Sequence, residues 1–440
     1  MKRLVPVRVI YTGAHGGFDT SRIPLGGGAA VMDALVREWS RTKPFELTIL
    51  GVGDHHDLPH IQYVRLPVSI PKPLTELGEL EYARFCREFE RASTEWLETH
   101  VGGVHRTPTV VLSNDISEGP NFREVAAHGL PIATIFHVDV VEYVAKFYCH
   151  DWIKPERLTQ LYRGLNGLRL APLAPDVVRL IFEKQADCVR HSAKLILPSR
   201  GMADVLRRCY PGCEPKVEIL PWGSIEEEVR SQDSGARRED LRAEFGVTGD
   251  ELILLTLCRI SPEKGIERLL QALIQMERAE KSLSTIHVFV CGAPAYMQGQ
   301  KYMEQLRRLA AKLKTIRVHF VGHVRGERKR AFFALADLYV HLSHHESYGL
   351  TIAEAMRTGC PVLTTNHHSA RDLVPADCGR IVSGHTEETV GVVRGLLADR
   401  PKLKAMGRAA AEHGRKLDFS HAASRLAELL TRLAPSGVSH

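Results

Sequence analysis

Two carboxylates, Glu346 and Glu354, stand seven residues apart in the stretch HLSHHESYGLTIAEAMRTGCP, His341–Pro361. Leu338–Leu342 is an apolar, β-favouring run, and Ile352, Ala353 and Met356 recur at helical spacing, so a turn at Glu346–Gly349 joins a strand to a helix. Unpaired amides at a helix start, with the helix dipole behind them, suit a phosphate or pyrophosphate, and glycine at 349 lets a ligand approach the main chain. Ser347, Tyr348, Gly349, Leu350 and Thr351 line that start, with one acid before it and one inside the helix. Spacing alone is also compatible with an ordinary strand–helix crossover carrying two solvated acids. A second set of charges, Arg259 and Lys264 in Arg259-Ile260-Ser261-Pro262-Glu263-Lys264-Gly265, follows the apolar run Leu252–Cys258. At a strand's carboxyl end, arginine can grip two phosphate oxygens and lysine can supply a compact charge. Together with the helix start they make a diphosphate site, although each cation alone reads equally as a solvated loop residue.

Two further features belong to the first half of the chain. Apolar Pro131–Phe136 ends in His137-Val138-Asp139, and ligands of open α/β sheets collect at such strand ends, so His137 is a candidate polar anchor. A structural histidine bonded to Asp139 is the competing reading. Gly26-Gly27-Gly28 precedes a helical run, where backbone amides can meet an anion or a sugar, or where the glycines serve loop geometry alone. The adjacent pairs His55-His56, His344-His345 and His367-His368 raise the question of a metal. Neighbouring loop histidines point apart, and no H-E-x-x-H motif accompanies them, so no metal is expected.

These residues need a scaffold. Length 440, with 44% hydrophobic and 25% charged residues, is that of a globular chain with two or three cores rather than a disordered one. A formal charge of +6 suits phosphate-bearing ligands or an anionic membrane surface without requiring nucleic acid. Nine scattered cysteines without a C-x2-C pair argue against a disulfide framework or structural zinc and for a reducing cytosol. No signal-like or membrane-spanning apolar run is evident, so a cytoplasmic protein is expected, with peripheral contact at the inner face of the membrane as an option.

Strand-like and helical segments alternate throughout. In the first half, strands are predicted over Val7–Tyr11, Glu46–Val52, Tyr63–Leu66, Thr109–Ser113, Pro131–Phe136, Lys194–Pro198 and Val217–Leu220. Ile225–Asp240, dense in charge and poor in apolar periodicity, reads as a linker. The alternation restarts at Leu252–Cys258 and continues through strands at Ile286–Cys291, Val318–Val321, Leu338–Leu342, Pro361–Thr364 and Arg380–Val382. Trp152–Leu173 breaks the rhythm: Leu158, Leu161, Tyr162, Leu165 and Leu168 form one stripe, suited to an acceptor, a membrane surface or the domain's own core. The expected division is residues 1–225, 226–418 and a C-terminal helix, 419–440, that crosses back to the first domain.

The segments LPSRGMADVL, LPWGS, LCRISPEKGIERLLQAL, VGHV and HLSHHESYGLTIAEAMRTGCPV give the chain its resemblance to the family-4 retaining glycosyltransferases. The resemblance covers most of the chain and is strongest over residues 190–365. It implies an α/β fold of two Rossmann-like domains facing an interdomain cleft, the GT-B arrangement. It also implies transfer of a hexose from a nucleotide-diphospho-sugar, a UDP-sugar such as UDP-glucose, to a hydroxyl acceptor, with retention and without a metal or other cofactor. By this similarity Arg259 and Lys264 bind the donor diphosphate, Glu346 holds donor-sugar hydroxyls and Glu354 the ribose. Gly349 and Leu350 offer amides, main chain near His323 and Val324 meets the base, Gly27 and Gly28 belong to the glycine loop, and His137 is the histidine near the sugar. Asp372 stands where the family often has a glutamate. Two alternatives remain at this stage: a nucleotide-sugar epimerase or hydrolase of similar fold, and a non-catalytic nucleotide-sugar-binding subunit.

Overall fold

The computed structural model describes residues 6–18, 26–54, 58–70, 72–101, 107–149, 152–168, 176–225, 234–280, 285–295 and 298–435. His55-His56, part of the glycine-rich segment 13–28, the end of the stretch 152–173 and residues 226–233 of the expected linker lie outside them. The chain divides into two compact units, residues 1–221 with 420–440, and residues 222–419.

The first unit is built on a seven-stranded parallel sheet. Its strands are β1 (Arg8–Thr12), β2 (Glu46–Gly51), β3 (Ile61–Arg65), β4 (Thr109–Ser113), β5 (Ile132–Ile135), β6 (Lys194–Leu197) and β7 (Val217–Ile219), in the order β3-β2-β1-β4-β5-β6-β7. The inner strands β4 and β5 are buried along their whole length, which is why they read as continuous apolar runs; β3, at one edge, is only partly covered. Ile10, Val111, Ile132 and Leu195 are fully buried, with Phe85, Phe89 and Cys86 of the helix Glu79–Val101 packed in the same core. The final helix, Phe419–Leu433, belongs to this unit: Trp39 Nε1 donates to the Ala423 carbonyl at 3.1 Å, and Leu426 and Leu430 are fully buried.

The second unit repeats the plan with six strands. These are β8 (Leu252–Leu257), β9 (Ile286–Cys291), β10 (Arg317–Gly322), β11 (Leu338–His341), β12 (Val362–Thr365) and β13 (Gly379–Val382), in the order β10-β9-β8-β11-β12-β13, all parallel. In both units the strand order reverses beside a central strand, between β1 and β4 and between β8 and β11. Such switch points leave a crevice at the strands' carboxyl ends, where ligands of open α/β sheets bind.

Several segments differ from the sequence reading, the short helices Phe122–Ala127 and Ala370–Leu373 among them. Residues Ser234–Glu244, which begin inside the expected linker and run past its end, form a helix. Among its described side chains Leu241 is buried, with Phe245 following it edge-on against Phe289, so apolar periodicity is too sparse to show. Ion pairs to the helix Gly326–Leu335, Arg237 with Glu327 and Arg328 with Glu244, fasten its polar face. The helix Val140–Phe147 follows His137 directly and has no counterpart in the sequence reading; Asp139 is its N-cap, accepting from the Glu142 amide at 2.9 Å. The stripe in 152–173 splits: Tyr162 stacks on Phe182 at 4.8 Å, while Leu161 and Leu165 on the helix Pro155–Gly167, and Leu168 just after it, are exposed. No helix among the described residues is long and apolar enough to cross a membrane, and all nine cysteines are free thiols.

Candidate functional site

In the second unit, β8 and β11 deliver two loops to the same crevice. The loop after β8 makes a 3-10 turn, Pro262–Lys264, and closes on Gly265, whose φ of 60° and close approach to the Leu342 carbonyl oxygen exclude a side chain. The loop after β11 runs from Leu342 to Gly349, whose φ of 91° starts the helix Leu350–Arg357. The loops are laced together: the His344 amide donates to the Glu263 carbonyl at 2.8 Å, and Ser343 Oγ lies 2.9 Å from the same oxygen. Tyr348 is anchored on both sides, its hydroxyl accepting from the Gly223 amide at 2.8 Å and its carbonyl accepting from Ser369 Oγ.

This lacing brings Lys264 and Glu346 together. Lys264 Nζ donates to Glu346 Oε2 at 2.7 Å, and His341 Nε2 lies 3.1 Å from the same oxygen. Burial by itself raises the Glu346 carboxyl, but Lys264 first and His341 next outweigh it and hold the carboxyl well below the usual range. Burial likewise disfavours the charged Lys264, and Glu346 more than offsets it, so the ammonium is held above its ordinary value. Both contacts fall on Oε2; among the described residues no hydrogen bond falls on Oε1. Arg259, from the same loop as Lys264, pairs with Glu263 at 3.2 Å.

Glu354 lies one turn into the helix, where Lys329 Nζ donates to its Oε1 at 2.7 Å. Thr351 Oγ1 lies 2.7 Å from the hydroxyl of Tyr339, which donates to the Leu257 carbonyl and so ties β11, the helix and β8 together. His323 and Val324 follow β10, His323 exposed and accepting from Arg325 Nε at 2.6 Å, Val324 buried. The arrangement presents two cations, a helix N-terminus and two fixed carboxylates to one crevice, a set that can neutralise a diphosphate and accept from hydroxyls.

The remaining candidates fall elsewhere. His137, Gly27 and Gly28 lie in the first unit, at the end of β5 and the start of the helix Gly27–Thr42, where Gly28 packs against the His137 ring. Loss of hydration, then the nearby His15, pushes His137 down to about 3, so it is neutral at physiological pH. Asp139 is spent on capping and on Gln185, whose Nε2 donates to it at 3.1 Å. His137 Nε2 lies 3.3 Å from Asn114 Oδ1. Asp372 is exposed on the short helix Ala370–Leu373.

Sequence reasoning missed the partners: His341 on Glu346, Glu263 on Arg259 and Lys329 on Glu354. Only His341 had a signal, as a polar residue ending an otherwise apolar strand; Lys329 is drawn from a helix 25 residues away. One histidine of each described pair, His344 and His367, finds hydrogen-bond partners nearby. His344 accepts from Arg268 Nη2 at 2.7 Å and reaches Glu267 at 3.0 Å, while His367 lies between Thr364 Oγ1 and Ser369 Oγ at 3.1 and 3.2 Å.

Residues 237–413, which carry this crevice, match the family described as Glycosyl transferases group 1. D-inositol 3-phosphate glycosyltransferase of Streptomyces griseus is 33% identical over 270 residues, covering 58% of this chain and 56% of that protein. D-inositol 3-phosphate glycosyltransferase 2 of Catenulispora acidiphila is 30% identical over 298 residues, 64% of this chain and 67% of that protein. The chain spans between 54% and 64% of the lengths of four Streptomyces relatives of that name. Among solved structures, sucrose-phosphate synthase from Thermosynechococcus elongatus superposes with a TM-score of 0.71 at 17% identity, covering 97% of this chain and 99% of that one. WaaG, a glycosyltransferase involved in lipopolysaccharide biosynthesis, gives 0.66 at 18% over the same shares, so both share the fold. With the matched residues spanning the whole crevice of the second sheet, the chain belongs to the group 1 glycosyl transferases.

Proposed function

We propose that the protein is a retaining hexosyltransferase that takes a sugar from a nucleotide-diphospho-sugar, a UDP-sugar such as UDP-glucose, to a hydroxyl acceptor, without a metal. The observation that carries this reading is the buried Lys264–Glu346 pair at the β8–β11 switch point, beside Arg259 and the helix start at Gly349. The leaving group is a nucleoside diphosphate, so charge develops on its β-phosphate as the bond to the sugar C1 breaks. Preorganised cations and amides aimed at that charge lower the barrier without reorganising. Lys264 has three donors, so it can meet a phosphate oxygen while keeping Glu346, and Glu346 Oε1 can accept from a sugar hydroxyl. In this reading Glu354, steadied by Lys329, accepts from the ribose hydroxyls.

Reaction on one face of the sugar needs no enzyme nucleophile. The C1–O bond to phosphate breaks, the C1–O bond to the acceptor forms, and the acceptor's proton passes to the departing β-phosphate. A structural neighbour supports the donor class: HepE of Anabaena, 17% identical with a TM-score of 0.64, has been solved with UDP-glucose. The test is the anomeric configuration of the product from UDP-α-glucose, read by NMR in the presence of EDTA. The α configuration at an undiminished rate is expected; a β product, or a glycosyl adduct trapped on Glu346, overturns the mechanism.

A further inference from the structure

The first unit has a crevice of its own, at the switch point between β1 and β4, and its polar groups are only partly answered. Tyr11 donates to Asn114 Oδ1 at 2.6 Å and His137 Nε2 lies 3.3 Å from the same oxygen, while Asn114 Nδ2 is buried without a hydrogen-bond partner among the described residues. Glu118, only 3% exposed, accepts from the Tyr82 hydroxyl at Oε1, 2.9 Å away. Its Oε2 is a second orphan, 3.6 Å from His15 Nε2, and His15 Nδ1 is a third. Buried polar groups left unpaired cost about 1–3 kcal/mol each, so three in one crevice point to a ligand that completes them.

The chemistry of the three orphans narrows that ligand. Asn114 Nδ2 can only donate, the Glu118 carboxylate oxygen Oε2 can only accept, and an imidazole nitrogen such as His15 Nδ1 can do either. A polyhydroxylated molecule answers all three, because each hydroxyl both donates and accepts. A phosphate answers few of them and meets Glu118 and Asp115. Loss of hydration, then Glu118, lifts Asp115 to about 7, as expected where negative charge is already crowded. Among the described residues the buried cation Lys184 is already held by Glu90 Oε2 at 2.6 Å and the Gly119 carbonyl at 2.7 Å.

We infer that this crevice binds the acceptor through Asn114, Glu118 and His15, and that Glu118 makes it select an unphosphorylated polyol or sugar over a phosphomonoester. The inference rests on the transferase reading above. It sets this chain apart from relatives whose names specify inositol 3-phosphate.

The test measures UDP release from UDP-glucose with a panel of hexoses and myo-inositol, each paired with its phosphomonoester. Thermal shift with UDP, run alongside, checks the donor reading separately: no shift defeats that reading, whereas a shift with the wrong acceptor pattern defeats only this one. The wild type is expected to show at least tenfold higher kcat/KM for an unphosphorylated member than for its phosphomonoester. Glu118→Gln is expected to shrink that ratio severalfold, which a general structural defect lowering both rates alike does not do. Because Glu118 is buried, its variant is checked by melting temperature, and His15→Ala, at a partly exposed position, is expected to raise the KM of the same unphosphorylated acceptor. Preference for phosphomonoesters, stimulation by no member of the panel, or a ratio unmoved by Glu118→Gln overturns the inference.

Discussion

His367 shows how single residues in this fold couple protonation to stability. Burial, the largest influence, pushes it down to about 3, although nearby Glu346 works the other way. Its ordinary value of about 6.5 returns on unfolding, so between those values the unfolded chain binds more protons and stability rises with pH. The stabilising share is complete above about 6.5 and is lost as pH falls toward 3. His137, also held near 3, adds the same trend in the other unit. Melting curves between pH 7 and 4 are therefore expected to fall less steeply for His367→Asn than for the wild type; equal slopes contradict the assignment. Glu346 acts in the same direction at lower pH, since its depressed carboxyl contributes stability that is lost as pH falls below the usual carboxylate range.

At the scale of elements, much was legible because strands buried on both faces leave an unmistakable pattern. Thr109–Ser113 and Ile286–Cys291 have the bounds read from sequence, and the glycines at 265 and 349 mark real left-handed turns. The helices Val140–Phe147 and Ser234–Glu244 stayed hidden for different reasons. The first is short and begins where a strand-end reading absorbed its cap; the second is fastened by ion pairs rather than by an apolar stripe. The partners of the site carboxylates were illegible because they come from other elements, as Lys329 does for Glu354. Gly265 gives the sharpest test of how the loops are held. Gly265→Ala forces a Cβ into the Leu342 carbonyl at a φ of 60°, and a loss of roughly 1–3 kcal/mol is expected. Urea unfolding followed by circular dichroism checks this, and an unchanged midpoint contradicts it.

For the whole molecule, sequence order and spatial order part company at the C-terminus. The helix Phe419–Leu433 completes the first unit by covering the face of Trp39, so residues nearly four hundred positions apart share one core. Leu426→Ala there is expected to cost about 2–5 kcal/mol, seen as an early unfolding step when monitored by tryptophan fluorescence. A change below about 0.5 kcal/mol would show that the helix is only loosely seated. The two units also divide the chemistry proposed for them: donor charge at the β8–β11 crevice, acceptor hydroxyls at the β1–β4 crevice.

The diphosphate role of Lys264 is tested most directly by UDP release from UDP-glucose in saturating acceptor, wild type against Lys264→Ala. Removing a donor aimed at transition-state charge costs about 2.7–4 kcal/mol, so a hundred- to thousandfold fall in kcat is expected with the fold intact by circular dichroism. A folded Lys264→Ala variant that releases UDP at the wild-type rate would contradict the account.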